Sequence, residues 1–167
     1  MSKELEEIVD LFAEKFFPDS EVYMFKKEEK PAFDDIKSLL KEREFNLIDV
    51  NQALIVNPED YNMLISKAGF TGPTGNETIN DCLVSDEQKK NLIITAKLSE
   101  LEKQVDNKTV LVVEYNDQVL NNRTFYETVR IWLKDGVQSL RSIRAIVYLE
   151  TTERIRDFCY YGMVYRK

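Results

Sequence analysis

The chain has 167 residues, of which 43% are apolar and 32% are charged, and its formal net charge is −7. This length and apolar content favour a single globular domain over residues 1–167, and no apolar run approaches the roughly 20 residues of a membrane span. The absence of histidine excludes Ser-His-Asp and Cys-His catalysis and every His-ligated metal site.

The amino terminus and the cysteines predict a cytoplasmic protein. The first residues are acidic and amphipathic, whereas a secretory signal has a basic start followed by an apolar stretch. The two cysteines, Cys82 and Cys159, are too far apart in the sequence to form a CxxC pair. We therefore expect a cytoplasmic chain that has no cofactor and does not bind membranes.

The first half of the chain predicts helices that alternate with short strands. The first predicted helix has its apolar residues at helical spacing, namely Leu5, Ile8, Val9, Phe12 and Phe16. Residues 21–25 follow as a strand, and the charged run at 26–30, which includes Lys27, is interpreted as a solvated turn. Pro31 then begins a second helix, and residues 45–56 are rich in strand-forming residues. Asn57, with Pro58 after it, begins a third helix.

The second half continues the alternation. Ser85 begins a long helix through a capping box, and the apolar run at 110–113 is typical of a strand buried on both faces. A helix over about residues 123–140 leads to a strand at 143–150 in which apolar and polar residues alternate. Residues 154–165 are expected to return beside it as an antiparallel strand.

These elements predict an α/β (or α+β) fold. We expect one domain with a mixed sheet of about five strands, about five helices packed on it, and an antiparallel β-hairpin at the carboxyl terminus. An irregular glycine-rich loop at 69–81 interrupts the pattern.

Charge is distributed unevenly along the chain. Residues 1–106 carry 23 acids and 13 bases, a net of −10, whereas residues 107–167 carry 7 acids and 10 bases, a net of +3. The second segment also holds seven of the eight arginines and six of the eight tyrosines. Both residue types are enriched in interfaces, although tyrosine is also common in strands and arginine on solvated hairpin faces. The interface interpretation predicts a partner-binding surface made of Arg144, Tyr148, Arg154, Arg156, Tyr160 and Arg166.

The first functional hypothesis is therefore a small acidic interaction protein without catalysis. Such a protein is an inhibitor, an immunity-type protein or a subunit of a bacterial or phage assembly, and its partner is another protein or a second copy of the chain. The overall acidity argues against general nucleic-acid binding, because that binding depends on neutralising phosphates.

The alternative hypothesis is a domain that binds a nucleotide or another phosphorylated ligand. The loop over 69–78 resembles a P-loop in which Glu77 stands where the phosphate-binding lysine belongs. Glu114 and Asp117 follow one predicted strand, and Glu150 and Glu153 follow another. In α/β sheets, ligands bind at the carboxyl ends of strands. Carboxylates at adjacent strand ends could hold Mg²⁺, although polar residues are also common wherever strands leave the core. The ligand-binding residues of this hypothesis are Gly72, Gly75, Thr78, Glu114 and Glu150.

Overall fold

The computed structural model describes residues 3–14, 21–62, 85–137, 143–155 and 163–165. Its helices are α1 (Lys3–Phe12), α2 (Lys30–Glu42), α3 (Asp86–Gln104), α4 (Asp117–Asn121) and α5 (Arg123–Asp135), and residues 58–62 are also helical. Short 3₁₀ helices cover Lys27–Glu29 and Val50–Leu54. The strands are β1 (Glu21–Phe25), β2 (Asn46–Asp49), β3 (Thr109–Tyr115), β4 (Arg144–Leu149) and β5 (Met163–Tyr165). The α/β class is thus confirmed.

The sheet is parallel throughout its described strands. The order is β2-β3-β4-β1-β5, and each neighbouring pair runs in the same direction. Four strands of four to seven residues form the body of the sheet, and β5 adds only three residues to the outer edge of β1. A helix follows β1 and another precedes β3, as crossovers between parallel strands require.

The predicted mixed sheet and the predicted C-terminal antiparallel hairpin are both wrong. β4 and β5 each pair with β1 in parallel register, so β1 lies between them. The alternating sequence of β4 indicated a strand with one exposed face, yet all six of its residues are buried. A strand buried on both faces is typical of a parallel sheet covered by helices on each side. Residues 156–162, part of the predicted return strand, lie outside the described ranges.

Helices cover both faces of the sheet. On one face α1 and α2 pack against alternate strand residues, among them Phe25, Val112 and Ile146. On the other face α3, α4 and α5 pack against the intervening residues, such as Met24 and Val113. The strands alternate cleanly between the two clusters, so the sheet is the middle of three layers.

Several local predictions are confirmed. The helix predicted at the start of the chain is α1, and its buried residues include Leu5 and Phe12. Phe16 lies outside the described ranges. The strand at 21–25 and the helix after it form as expected. Ser85 and Gln88 make both hydrogen bonds of the capping box that begins α3, at 2.9 and 3.1 Å. Among the described helices, none combines the length and the apolar composition needed to cross a membrane.

Arg144 anchors the edge of the sheet at which the strands begin. Its side chain is 5% exposed and donates to three main-chain carbonyls, those of Phe12 at 2.5 Å, Asn107 at 2.6 Å and Glu14 at 3.0 Å. Burial lowers the pKa of Arg144, and the negative charge of Glu21 opposes that shift. The side chain thereby ties the end of α1 to the turn that precedes β3.

Candidate functional site

The winding of the chain reverses between β1 and β4. After β1 the chain enters α2 on one face of the sheet, whereas after β4 it leads to Ile155, which packs on the opposite face. The segment after β3 also passes to that opposite face through α4 and α5. Neighbouring strands whose connections diverge leave a crevice at their carboxyl ends, and this is where open α/β sheets bind ligands.

A cavity of about 500 Å³ lies at this reversal, and we name it the carboxyl-edge crevice. Its described lining comes from the segments that follow β1, β3 and β4, and it consists of Lys27, Asn116, Asp117, Gln118, Glu150 and Thr151. The volume lies within the roughly 300–1,000 Å³ of small-molecule sites. All six lining residues are polar, so the crevice suits a hydrophilic ligand.

Hydrogen bonds between the ends of β3 and β4 hold two walls of the crevice together. The Tyr115 carbonyl accepts the N–H groups of Glu150 at 3.0 Å and Thr151 at 3.3 Å. The buried Tyr115 hydroxyl donates to the Glu153 carbonyl at 2.7 Å. On the other wall, the Asn116 side chain accepts the Val119 N–H at 3.2 Å and caps α4. Glu150 and Thr151 are therefore held against the end of β3.

The crevice contains charges of both signs. Lys27, Asp117 and Glu150 are exposed, and no ion pair between described residues involves any of them. Together they give the described lining one net negative charge.

Glu114 lies at the same sheet edge but outside the crevice. Because β3 and β4 are neighbours, Glu114 pairs in register with Tyr148, two residues before Glu150. Its Oε1 accepts a hydrogen bond from Lys30 Nζ at 3.3 Å, and Lys30 also lies 3.6 Å from Asp34. Within the described ranges, no three acidic or cysteine side chains are grouped to hold a metal ion. Glu114 is thus neutralised on the α2 face.

Two carboxylates, those of Asp34 and Glu114, surround the Lys30 ammonium. Burial alone would lower the pKa of Lys30, but the hydrogen bond that Lys30 donates to Glu114 and the charges of Asp34 and Glu114 outweigh burial and raise that pKa. Burial raises the pKa of nearby Asp49, the Asn51 N–H offsets part of the shift, and the charge of Glu114 adds to it. None of these residues belongs to the described lining of the crevice.

Asn51 extends the β2–β3 pairing beyond the last residue of β2. Its Oδ1 accepts the Glu114 N–H at 2.7 Å, and its Nδ2 donates to the Glu114 carbonyl at 2.8 Å. The side-chain amide replaces a main-chain peptide at this edge of the sheet. This role has no local signal in the sequence, because it depends on the pairing of β2 with β3.

The predicted partner-binding residues do not form one exposed surface in the described chain. Arg144 is buried where β4 begins, and Tyr148 is 8% exposed, with its ring centroid 4.7 Å from Lys30 Nζ. Both residues belong to β4, an interior strand of the sheet whose six residues are all buried. Arg154 alone is exposed, while the other three residues lie outside the described ranges, namely Arg156, Tyr160 and Arg166.

Arg154 has an unusual backbone conformation. Its φ of 55° is left-handed, which is uncommon for a residue with a side chain. The surrounding turn is held by the Glu153 N–H, which donates to Thr151 Oγ1 at 3.2 Å, and by the contact of Tyr115 with Glu153. The Arg154 guanidinium carbon lies 5.3 Å from the Tyr126 ring centroid, within cation–π range.

The turn between β1 and α2 has the strand–turn–helix setting in which a P-loop occurs. P-loops join a strand to a helix and offer main-chain N–H groups to phosphate. Here the turn at 26–30 contains no glycine, and the Lys26 N–H donates to the Glu29 carboxylate at 2.9 Å. The Lys26 N–H therefore already binds the Glu29 carboxylate and is not offered to a phosphate. The glycine-rich loop favoured by the sequence, with Gly72, Gly75 and Thr78, lies outside the described ranges.

The sequence pointed to only part of the crevice. Asp117 and Glu150 stood out as acids just beyond predicted strands, whereas Lys27 belonged to a charged run interpreted as a solvated turn. Asn116, Gln118 and Thr151 were missed, although polar residues directly after an apolar strand are a usable signal. Comparison with models of known protein families, with curated proteins and with solved structures finds no match for this chain.

Proposed function

We propose that this protein binds a small polar ligand in the carboxyl-edge crevice and does so in the cytoplasm. The observation that carries the proposal is a cavity of about 500 Å³, lined by polar residues from three neighbouring segments at the reversal of winding. Three of its lining residues, Lys27, Asp117 and Glu150, are charged and have no ion pair among the described residues.

A free phosphate group fits this lining poorly. Asp117 and Glu150 would repel it, and the turn after β1 already places the Glu29 carboxylate on a main-chain donor. A nucleotide would have to bring Mg²⁺, which one or two carboxylates can hold together with phosphates. The crevice therefore favours a ligand with its own positive or hydrogen-bonding groups over the phosphorylated ligands expected from the sequence.

A thermal-shift screen of the full chain tests this function. The screen covers amino acids, amines, sugars, and nucleotides with Mg²⁺. A ligand at 100 times its dissociation constant stabilises by about 2.7 kcal/mol, which raises the Tm by roughly 5–10 °C for a chain of this size. Replacing the exposed Gln118 by tryptophan should fill the crevice and abolish the shift.

The matched control for this screen is Gln104→Trp, a change at an exposed position at the end of α3. This variant should keep the full ligand shift. A wild-type chain that no compound stabilises would contradict the proposal, as would an equal shift in the Gln118→Trp variant.

A second candidate is the interaction protein expected from the sequence. The exposed Arg154 favours it, because a left-handed backbone held by hydrogen bonds presents a guanidinium stacked on Tyr126. In this proposal Arg154 acts with Arg156, Tyr160 and Arg166 on a protein partner or a second copy of the chain, as in an inhibitor, an immunity-type protein or an assembly subunit. Charge complementarity would mainly increase the association rate and the specificity.

The triple variant Arg154→Ala, Arg156→Ala and Tyr160→Ala tests this second candidate. We expect it to lose any stoichiometric complex, or any homo-oligomer, that the wild-type chain forms in light-scattering measurements on purified protein. Arg43→Ala is the control, because Arg43 is an exposed arginine that pairs only with Asp10 among the described acids. A complex that survives the triple substitution would refute this surface.

A further inference from the structure

The charges of the carboxyl-edge crevice are separated by sign along the sheet. Lys27 follows β1, Glu150 follows β4 and Asp117 follows β3, and these strands are consecutive in the order β3-β4-β1. Adjacent strands lie about 4.8 Å apart, so the segments that carry Lys27 and Asp117 begin about 10 Å from each other. One positive group therefore stands at one end of the crevice, with two negative groups toward the other.

A ligand with a single charge would compensate only part of this arrangement. An anion would be attracted by Lys27 but repelled by Glu150 and Asp117. A cation would be attracted by Glu150 and Asp117 but repelled by Lys27. Like charges brought together in a binding site are strongly unfavourable, whereas complementary charges fix the orientation of the ligand. A ligand that carries both signs avoids the conflict.

We propose that the ligand of the crevice is a zwitterion of the amino-acid class, with its carboxylate toward Lys27 and its ammonium toward Glu150 and Asp117. This inference rests on the proposed function and narrows its ligand. The Gln118 amide and the Thr151 hydroxyl supply further hydrogen-bonding groups at the same cavity. The cavity volume of about 500 Å³ accommodates an amino acid with a sizeable side chain.

The test compares each bound amino acid with two derivatives that lack one charge. Calorimetric titration of the full chain uses the amino acid, its carboxamide, which lacks the carboxylate, and its N-acetyl form, which lacks the ammonium. We expect the wild-type chain to bind each derivative at least about tenfold more weakly, because hydrogen bonds between charged groups are worth about that factor.

Two variants assign each charge of the ligand to its residue. Lys27→Met should weaken binding of the amino acid and remove its advantage over the carboxamide. Glu150→Gln should instead remove the advantage over the N-acetyl form. The matched controls, Lys90→Met and Glu87→Gln, change exposed residues of α3 and should leave all affinities unchanged.

The outcomes separate this inference from the proposed function. If wild-type chain binds a sugar or a nucleotide, and Gln118→Trp abolishes that binding, the crevice is a ligand site but the zwitterion assignment is wrong. Binding of an amino acid with equal affinity for both derivatives also overturns the assignment. If no compound binds at the crevice, both proposals fail.

Discussion

Replacing Arg144 by methionine lowers the free energy of unfolding by about 3 kcal/mol. The substitution keeps most of the side-chain volume but leaves the carbonyls of Phe12 and Asn107 without their donor. The Phe12 carbonyl is buried, and a buried acceptor that loses a charged partner incurs its full desolvation penalty, whereas Asn107 is exposed and its carbonyl can bind water. Urea denaturation measures the loss directly, and the Tm should fall by roughly 6–12 °C.

The control for this experiment is Arg43→Met. Arg43 binds Asp10 at 2.7 Å, but about half of each side chain remains exposed to solvent. Surface ion pairs contribute little, so we expect a loss below about 1 kcal/mol. If both arginine variants are equally destabilised, the three carbonyl contacts do not have the structural role assigned to Arg144.

Replacing Asn51 by aspartate destabilises the protein by about 2–3 kcal/mol. The carboxylate can still accept the Glu114 N–H, but its second oxygen faces the Glu114 carbonyl, where the amide donated before. It also adds negative charge beside Glu114 and Asp49, whose charges already repel each other. Equilibrium unfolding at neutral pH measures the effect.

Lowering the pH tests whether the ionised carboxylate of the Asn51→Asp variant causes this loss of stability. Protonation of the new carboxyl group restores a donor, so the difference from the wild-type chain should shrink as the pH falls toward about 4. Gln52→Glu adds the same charge at the exposed neighbouring position, whose side chain makes no hydrogen bond to Glu114 in the described part of the chain. A loss as large in Gln52→Glu would attribute the effect to charge alone and contradict the pairing role of Asn51.

The sequence allowed the individual elements to be predicted because their signals are local. Helix α1 follows from apolar spacing within ten residues, and α3 follows from a capping box within four. The directions and neighbours of the strands could not be predicted in this way, because they depend on residues distant in the sequence, such as Glu21 and Arg144 of the β1–β4 pair. β4 shows this most clearly, since Arg144 and Tyr148 have the composition of a solvated face but are buried under α1 and α2.

The candidate site was predictable to a similar extent. Asp117 and Glu150 could be found because each follows a strand that the sequence already marked. Lys27 could not, because its position beside them requires β1, the first strand of the chain, to pair with β4. The contact of Glu114 with Lys30 could not be predicted either, because the two residues lie 84 positions apart in the sequence.

The strand order also determines when the protein can fold during its synthesis. β1 is made first among the strands, but its two neighbours in the described sheet, β4 and β5, are made last. Until residues 144–149 have left the ribosome, the apolar side chains of Val22, Met24 and Phe25 have no strand beside them to complete their burial. Unpaired apolar strands are prone to aggregate. A nascent chain released after α5 therefore keeps β2 and β3 together but presents β1 with both edges open to other chains.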